Sequence, residues 1–460
     1  MLNYIWLGLV VAAVLIAGFH NLIGAPTGTL KEMTENGFAM AKTAVELAIG
    51  LIGIMALWLG IMRLAEKAGL IQLLARWLRP VMKWLFPDVP AEHPAMGSML
   101  MNMAANFLGL SNAATPLGLR AMKDLETLNQ RPGTATNAMC TFLAINTSSI
   151  QLLPVTAVAV LAAAGSIQPY AIIGTAIIAT SFSTLAGVTA VKLLEKLPGY
   201  RLPPLPAAGN SRREEAQTGT AESSANDQSV TSAATKEEPA PLNWLGMGAL
   251  ALFLLFFVAL LVVISFPELL NRPVSAEMQL QNGFVRLLNT VSLLAVPFLL
   301  SFFPLYAALR RVKVYEQFVE GAKEGFQVAV NIIPYLVAIL VAVGMLRGAG
   351  GIDLLTKALK PVLDLVHFPS ELLPMCLMRP LSGSGTFGMF TELVKQFGPD
   401  SLIARTAGTI YGSTETTFYV IAVYFGAVAV KRTRHAVPAG LLADGVGMIA
   451  SVIVCRMMFA

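Results

Sequence analysis

The sequence predicts an all-α integral membrane protein built as two inverted repeats of transmembrane helices. Each repeat is expected to carry a re-entrant helical hairpin and an amphipathic surface helix. Three observations carry this prediction. The first is composition: 55% of the 460 residues are hydrophobic, 13% are charged and the mean hydropathy is +0.67, whereas about a quarter of the residues of a soluble domain are charged. The second is an internal match, because "AGLIQLLARWLRPV" (Ala68–Val81) aligns without a gap on "AGGIDLLTKALKPV" (Ala349–Val362). The same register pairs Ala41-Lys42 with Ala322-Lys323, so the match is a repeat of sizeable length. The third is that each copy is followed by an apolar stretch broken up by Gly, amide and hydroxyl residues. These stretches are "NMAANFLGLSNAATPLGLRAM" (Asn102–Met122) and "MRPLSGSGTFGMFTEL" (Met378–Leu393).

Along the chain, nine stretches approach the twenty or so apolar residues that a bilayer crossing takes. They are 4–23, 42–63, 136–163, 168–192, 243–266, 288–309, 325–346, 407–430 and 436–459. The first lacks a positively charged leader and a small-x-small cleavage site, and so reads as a retained helix. Basic clusters follow the second span (Arg63, Lys67, Arg76, Arg79, Lys83), the sixth (Arg310, Arg311, Lys313) and the eighth (Lys431, Arg432, Arg434). One orientation places all three clusters in the cytoplasm: amino terminus in, linker in, carboxyl terminus out. Arg347, Lys357 and Lys360 run against it. In this orientation span 42–63 runs out to in while its counterpart 325–346 runs in to out, which makes the repeats inverted, as in secondary transporters.

Within each repeat, Gly69–Leu78 and Gly350–Leu359 place Leu or Ile at helical spacing with basic residues between them and end at a proline. They read as short helices on the membrane surface or as ordinary loop helices. Residues 196–242, rich in Ser, Ala, Glu and Pro, form an expected disordered cytoplasmic linker between halves 1–195 and 243–460.

The polar interruptions carry the chemistry. A broken helix at membrane depth survives only when it is buried in protein or lines a wet cavity, since each unpaired N–H or C=O costs several kcal/mol. Gly109, Gly383 and Gly385 permit chain reversal, and Asn102, Asn106, Asn112, Thr115, Ser382, Ser384 and Thr386 either cap the broken ends or face solute. A second polar pair, "INTSSIQLLPV" (Ile145–Val155) and "IYGSTETTFYVIAVYFG" (Ile410–Gly426), sets Asn146, Ser148 and Gln151 against Ser413, Glu415 and Thr416. Glu415 is the sharpest of these, because an ionisable group inside an apolar span marks a solute route, a proton relay or an ion pair. Arg379 is its expected partner, either functional or merely fixing the hairpin. Asn331 to Pro334 reads as a proline kink. Glu46 and Asp444 are placed near span ends within reach of water, with no role assigned.

Other classes are excluded. The net charge of +5 comes from basic residues scattered over loops, which does not suggest nucleic acid. Cys140, Cys376 and Cys455 lie far apart in apolar segments without neighbouring histidines, and His20, His93, His367 and His435 are scattered, so neither a disulfide, a metal site nor a cofactor is expected. No phosphate-binding loop, zinc-protease motif, nucleophile elbow or nucleophile–base pair is visible, so an enzyme is not expected.

On these residues the chain resembles a known family. "NMAANFLGLSNAATPLGLRAM" resembles the signature of the spore maturation protein A family, and "MRPLSGSGTFGMFTEL" with "IYGSTETTFYVIAVYFG" resembles that of the spore maturation protein B family. The chain looks like a natural fusion of the two, over most of residues 1–195 and 240–460. Both belong to the nucleoside-recognition or Gate group, which is similar to the membrane cores of concentrative nucleoside transporters and of the ferrous-iron transporter. The resemblance implies re-entrant hairpins at 95–118 and 371–390 meeting near the midplane, with "NTSSIQ" and "GSTET" completing the site. It implies that Asn106, Asn112, Gln151, Ser384, Glu415 and Thr416 contact solute or coupling ion. Gln151 stands where a symmetric site would need a carboxylate, so a symmetric proton or metal site is not expected.

The expected function is a secondary transporter or exporter of a small polar, nucleoside-like solute, coupled to H+ or Na+, in a bacterial cytoplasmic membrane. The competing expectation is a non-transporting scaffold or sensor that supports envelope or spore maturation. The expected partners are the solute, the coupling ion and the bilayer, with a homo-oligomer left open.

Overall fold

The computed structural model describes residues 2–459 apart from 110, 149–150, 203–239, 271–272, 274–281, 353, 355–356 and 358–367. Among the described residues the chain is helical and no strand is formed; an isolated bridge joins Thr134 to Arg432. The first half contains α1 (Leu2–Leu22), α2 (Leu30–Lys67), α3 (Leu70–Leu85), α4 (Pro94–Phe107), α5 (Ser111–Glu126), α6 (Asn137–Ser148), α7 (Val155–Ala163) and α8 (Ile172–Leu194). The second contains α9 (Trp244–Ser265), α10 (Gly283–Leu309), α11 (Val314–Gly348), α12 (Leu373–Met378), α13 (Gly383–Phe397), α14 (Leu402–Ser413), α15 (Thr417–Gly426) and α16 (Ala436–Phe459).

Among the described residues, six helical stretches are long and apolar enough to cross a membrane: α2, Pro169–Leu194, α9, α10, α11 and α16. Spans 42–63 and 325–346 are the later parts of much longer helices. α2 begins twelve residues earlier because Thr29 and Glu32 form a capping box, each side chain accepting from the other's backbone N–H. Pro334 sits inside α11 without ending it. The apolar runs 136–163 and 407–430 are not continuous helices. Each is broken, between α6 and α7 and between α14 and α15.

The matched register of the repeat is visible in the backbone. α2 and α11 end on Ala68 and Ala349, both fully buried, and the next residues, Gly69 and Gly350, have φ values of 82° and 80°. That left-handed conformation is one that glycine adopts without a Cβ penalty. From this turn α3 sets out, and it does not stop at Pro80 as the spacing suggested but runs to Leu85 with Pro80 inside it. Met82 and Leu85 beyond the proline are buried, so packing of the apolar face outweighs the lost backbone hydrogen bond. The second expected surface helix, Gly350–Leu359, and the expected linker lie largely outside the described residues.

α2 and α11 pack antiparallel over their full length. Gly348 at the end of α11 abuts Glu32 near the start of α2, and Arg63 near the end of α2 pairs with Glu324 and reaches Gln317 (3.3 Å). Glycines bring the two backbones together, because a Cβ on Gly321 would lie 2.5 Å from the Leu59 carbonyl and one on Gly325 would lie 2.5 Å from that of Met55. This is the small-residue packing by which membrane helices gain van der Waals contact. α8 and α16 are likewise antiparallel, with Gly187 against Ala443 and Gly447 against Ser183. So are the two broken spans: Asn137 lies beside Arg434 at one end, and Ser166 lies beside Asp400 at the other. α13 is held to the end of α11 by Arg347, whose guanidinium is 2.8 Å from the buried Glu392 carboxylate.

Candidate functional site

Each helix break is encoded locally and satisfied by a neighbour. Pro154 precedes α7 and has no N–H to continue the α6 helix. At the other break Thr414 is extended (φ −144°, ψ 166°), as suits a β-branched residue whose hydroxyl competes for backbone groups. The stranded backbone groups then find partners across the fold. The Glu415 N–H donates to the Thr147 carbonyl (2.7 Å), and the Thr180 hydroxyl donates to the Ser148 carbonyl (3.0 Å). Two helix–turn–helix pairs press their turns onto these breaks. In the α4–α5 pair, which extends to Glu126 rather than 118, the Phe107 carbonyl accepts from Leu152 (3.1 Å). In the α12–α13 pair, which extends to Phe397 rather than 390, the Pro380 carbonyl accepts from Phe418 (3.0 Å).

At the meeting of the breaks, Gln151 Nε2 donates to Glu415 Oε1 at 3.2 Å, one residue from each half. A cavity of about 180 Å³ surrounds this pair, lined also by Gly109, Arg379, Tyr411 and Gly383. Gly383 lines two further cavities. One, of about 320 Å³, lies under α2 and α11 against Trp58, Ile332, Ser384 and Phe387. The other, of about 760 Å³, is bounded by Ser382, Ser384, Glu415, Thr416, Phe418 and Tyr419. Both turns therefore contribute glycine backbone to one hollow, a polar floor with a largely apolar roof, which is the usual character of a small-molecule site.

The structure divides the sequence-derived candidates. Gln151, Ser384, Glu415, Thr416, Arg379 and Ser382 line the cavities. Ser382 also caps α13, accepting from Gly385 N–H (3.0 Å), and the Thr386 hydroxyl donates back to the Ser382 carbonyl (2.7 Å), so Thr386 stiffens the turn. Ser148 and Ser413 play matching parts, each donating to the carbonyl three residues earlier (3.2 and 3.1 Å). Asn102, Asn106 and Asn146 form an amide cluster behind the cavity: Asn106 donates to Asn146 Oδ1 (2.9 Å) and the fully buried Asn102 donates to the Ala114 carbonyl (2.8 Å). Thr115 is half-buried in α5. The Asn112 side chain lies outside the described residues.

Arg379 does not make the expected ion pair, since no contact within 4.0 Å joins it to Glu415. Its Nε donates to the Thr414 hydroxyl (3.2 Å), its Nη2 to the Tyr411 carbonyl (2.9 Å), and its guanidinium lies 4.9 Å from the Tyr411 ring centre. The cation thus ties the α12–α13 turn to the α14 end and clears Glu415 to face the cavity and Gln151.

Tyr411 and Tyr424 escaped the sequence reading, and Asp444 was misplaced by it. Tyr411 and Tyr424 close the cavity and the amide cluster; Tyr424 lies within hydrogen-bond reach of Asn102 (3.4 Å) and Asn146 (3.5 Å). Gly118 is bare because the Tyr424 hydroxyl occupies the place a Cβ would take. Asp444, read as close to a span end and to water, is instead 1% exposed inside α16, where it accepts from the Thr417 hydroxyl (2.6 Å) at the start of α15. The stripe Gly440, Ala443, Gly447 beside it was the available signal, because small residues mark the face that packs inward.

Comparison with known proteins finds sequence similarity to named relatives. The nucleoside recognition (Gate) family model matches residues 48–164 and 329–431, which take in both helix breaks and both turns. Spore maturation protein B of Bacillus subtilis (strain 168) is 43% identical over 175 residues, covering 38% of this chain and 98% of that protein. Spore maturation protein A of the same organism is 43% identical over 188 residues, covering 41% of this chain and 92% of that protein. The two relatives match different halves, as in an A–B fusion.

Proposed function

We propose, for a chain that belongs to the nucleoside-recognition Gate family and joins a spore-maturation-A-like half to a spore-maturation-B-like half, that it is a secondary transporter of a small polar solute. On this reading the halves, 1–195 and 243–460, are inverted repeats, joined by a cytoplasmic segment at 196–242. The α4–α5 and α12–α13 pairs are re-entrant hairpins, and solute binds where their tips meet the broken spans. Nucleoside-like solutes fit the family description and an H+ or Na+ gradient supplies the drive. The protein performs no covalent chemistry.

The observation that carries this reading is the Gln151–Glu415 contact, made by two helix breaks from opposite halves inside a cavity. Breaks at membrane depth are costly unless they line such a space, and discontinuous helices at a repeat interface are how secondary transporters build a midplane site. The antiparallel course of each pair of counterpart helices supports inversion. The end of α2 meets the start of α11 at Arg63, and the end of α8 meets the start of α16 around Lys192 and Arg434; basic residues at these ends support a cytoplasmic amino terminus and linker.

The test is flux. Protein reconstituted in vesicles takes up one or more members of a nucleoside and nucleobase panel under an imposed pH or sodium gradient. Glu415→Gln lowers uptake about tenfold or more, the scale set by about 1.5–3 kcal/mol for a hydrogen bond to a charged group. Unchanged uptake in that variant removes Glu415 from the mechanism. A second reading, a non-transporting scaffold or sensor for envelope or spore maturation, draws on the names of the two relatives. It predicts ligand-dependent thermal stabilisation with no flux under any gradient.

A further inference from the structure

Glu415 is not the only carboxylate at the helix breaks. Asp444 Oδ2 accepts from the Thr417 hydroxyl, while Oδ1 is buried and has no hydrogen-bond partner. Its surroundings are hydroxyl-rich and otherwise apolar. α8 faces α16 with Ser183 and Gly187, α6 with Thr147, the α14–α15 break with Thr414 and α15 with Thr417. The charged groups whose field reaches Asp444 are Arg379 and Glu415. Arg379 is engaged by Thr414, Tyr411 and the Tyr411 ring, and no ion pair within 4.0 Å joins it to Asp444.

Two physical facts decide what such a group holds. A buried carboxylate left with a bare oxygen forfeits its hydration without a donor to replace it, whereas the neutral acid carries a much smaller cost. A metal cation gathers about six oxygens at roughly 2–2.6 Å, and Asp444 lines none of the cavities described above. A proton needs no volume.

We propose that Asp444 is the proton site of the transport cycle, carrying H+ on Oδ1 in the state seen here, while Glu415 faces the solute. This assignment rests on the transport reading above and narrows its coupling ion to H+. Thr417, which holds Oδ2, directly follows Thr416 in the wall of the large cavity. A shift of the α14–α15 break that brings cavity water to Asp444 lets the carboxylic acid pass its proton to that water, leaving a carboxylate and a hydronium ion. Closing the break demands the reverse. Proton release is thereby tied to the rearrangement that opens the solute site.

The experiment is an infrared pH titration of the purified full chain in lipid nanodiscs, with no solute added. Wild type shows the C=O band of a buried protonated carboxyl that falls reversibly as pH rises. The band is lost in D444N, kept in E415Q and shifted in frequency and midpoint in D444E. D444N should fold, since an amide oxygen still accepts from Thr417; if it does not, the D444E shift decides. A wild-type spectrum without such a band, or a band that neither variant of Asp444 changes, overturns the assignment. The spectrum does not depend on flux. A protein that transports without the band sinks this proposal and leaves the transport reading standing, whereas one that has the band without transport sinks the transport reading and with it the coupling role, leaving Asp444 only a buried carboxylic acid.

Discussion

His435 is enclosed at the start of α16 with both ring nitrogens unpartnered and the Tyr200 ring edge-on at 5.8 Å. Burial, followed by the neighbouring Arg434 and Lys192 cations, pushes its imidazole down from 6.5 to about 4. Between those values the unfolded chain takes up a proton that the fold refuses. Stability is therefore intact above about pH 6.5 and declines as pH falls towards 4, by about 3 kcal/mol at most. Thermal melts across that window show the decline in wild type and a flatter profile in His435→Gln. Asp400 acts lower on the scale. Burial alone would raise its pKa, but the Ile167 N–H, the Ser166 hydroxyl and Arg405 together outweigh it and hold the carboxyl below its ordinary value of 3.8. Its contribution, which fastens the α7 end to the α14 start, persists until the pH falls through that depressed value. Some residues of the site were readable in advance because hydrocarbon does not tolerate them: Asn106, Gln151 and Glu415 announced themselves by chemical type alone. Their pairings were not readable. Opposite charge suggested Arg379 for Glu415, yet the chain turn at Pro380 points that guanidinium at Thr414 and the Tyr411 carbonyl, and an amide from the other half takes the carboxylate.

At the scale of elements, hydropathy located the spans but hid their breaks. A run such as 136–163 stays apolar on both sides of Pro154, so averaging over twenty residues merges two short helices into one. The surplus length of α2 and α11 was hidden for the opposite reason, because polar first turns capped by Thr29 or led by Glu316 extend an apolar helix into water at little hydropathic signal. What the sequence did carry was the glycine spacing at Gly321, Gly325, Gly344 and Gly348, two pairs four apart, which is the mark of a backbone-to-backbone crossing. Gly325→Leu forces α11 away from Met55 and Ala56 and lowers stability by about 3 kcal/mol, the upper end of the overpacking range. Gly53→Leu, on the same α2 helix but with open space around its Cβ direction, stays within about 0.5 kcal/mol of wild type. Thermal melts of the two variants check this directly; equal losses in both would mean that α2 and α11 do not touch at Gly325.

For the molecule as a whole, the two most extensive helix packings join one half to the other, α2 to α11 and α8 to α16, and the broken spans meet across the same seam. Neither half alone lines the cavity around Gln151 and Glu415. Separate polypeptides ending at 202 and beginning at 240, expressed together with a tag on one, therefore co-purify as a one-to-one pair, and each expressed singly is recovered poorly. Independent, stable halves would contradict the interlocked packing. The relatives, each matching one half over more than nine-tenths of its own length, show that the same two units occur as free-standing chains. What the glycine-sealed α2–α11 contact then means for a single continuous gene product is a matter of dosage and timing. Two free chains meet only as fast as their concentrations in the bilayer permit, and an excess of one strands unfinished faces in lipid. A covalent connection fixes the ratio at synthesis and turns encounter into an intramolecular step at high effective concentration, so the joined form suits a protein that must be complete even when only a few copies are made.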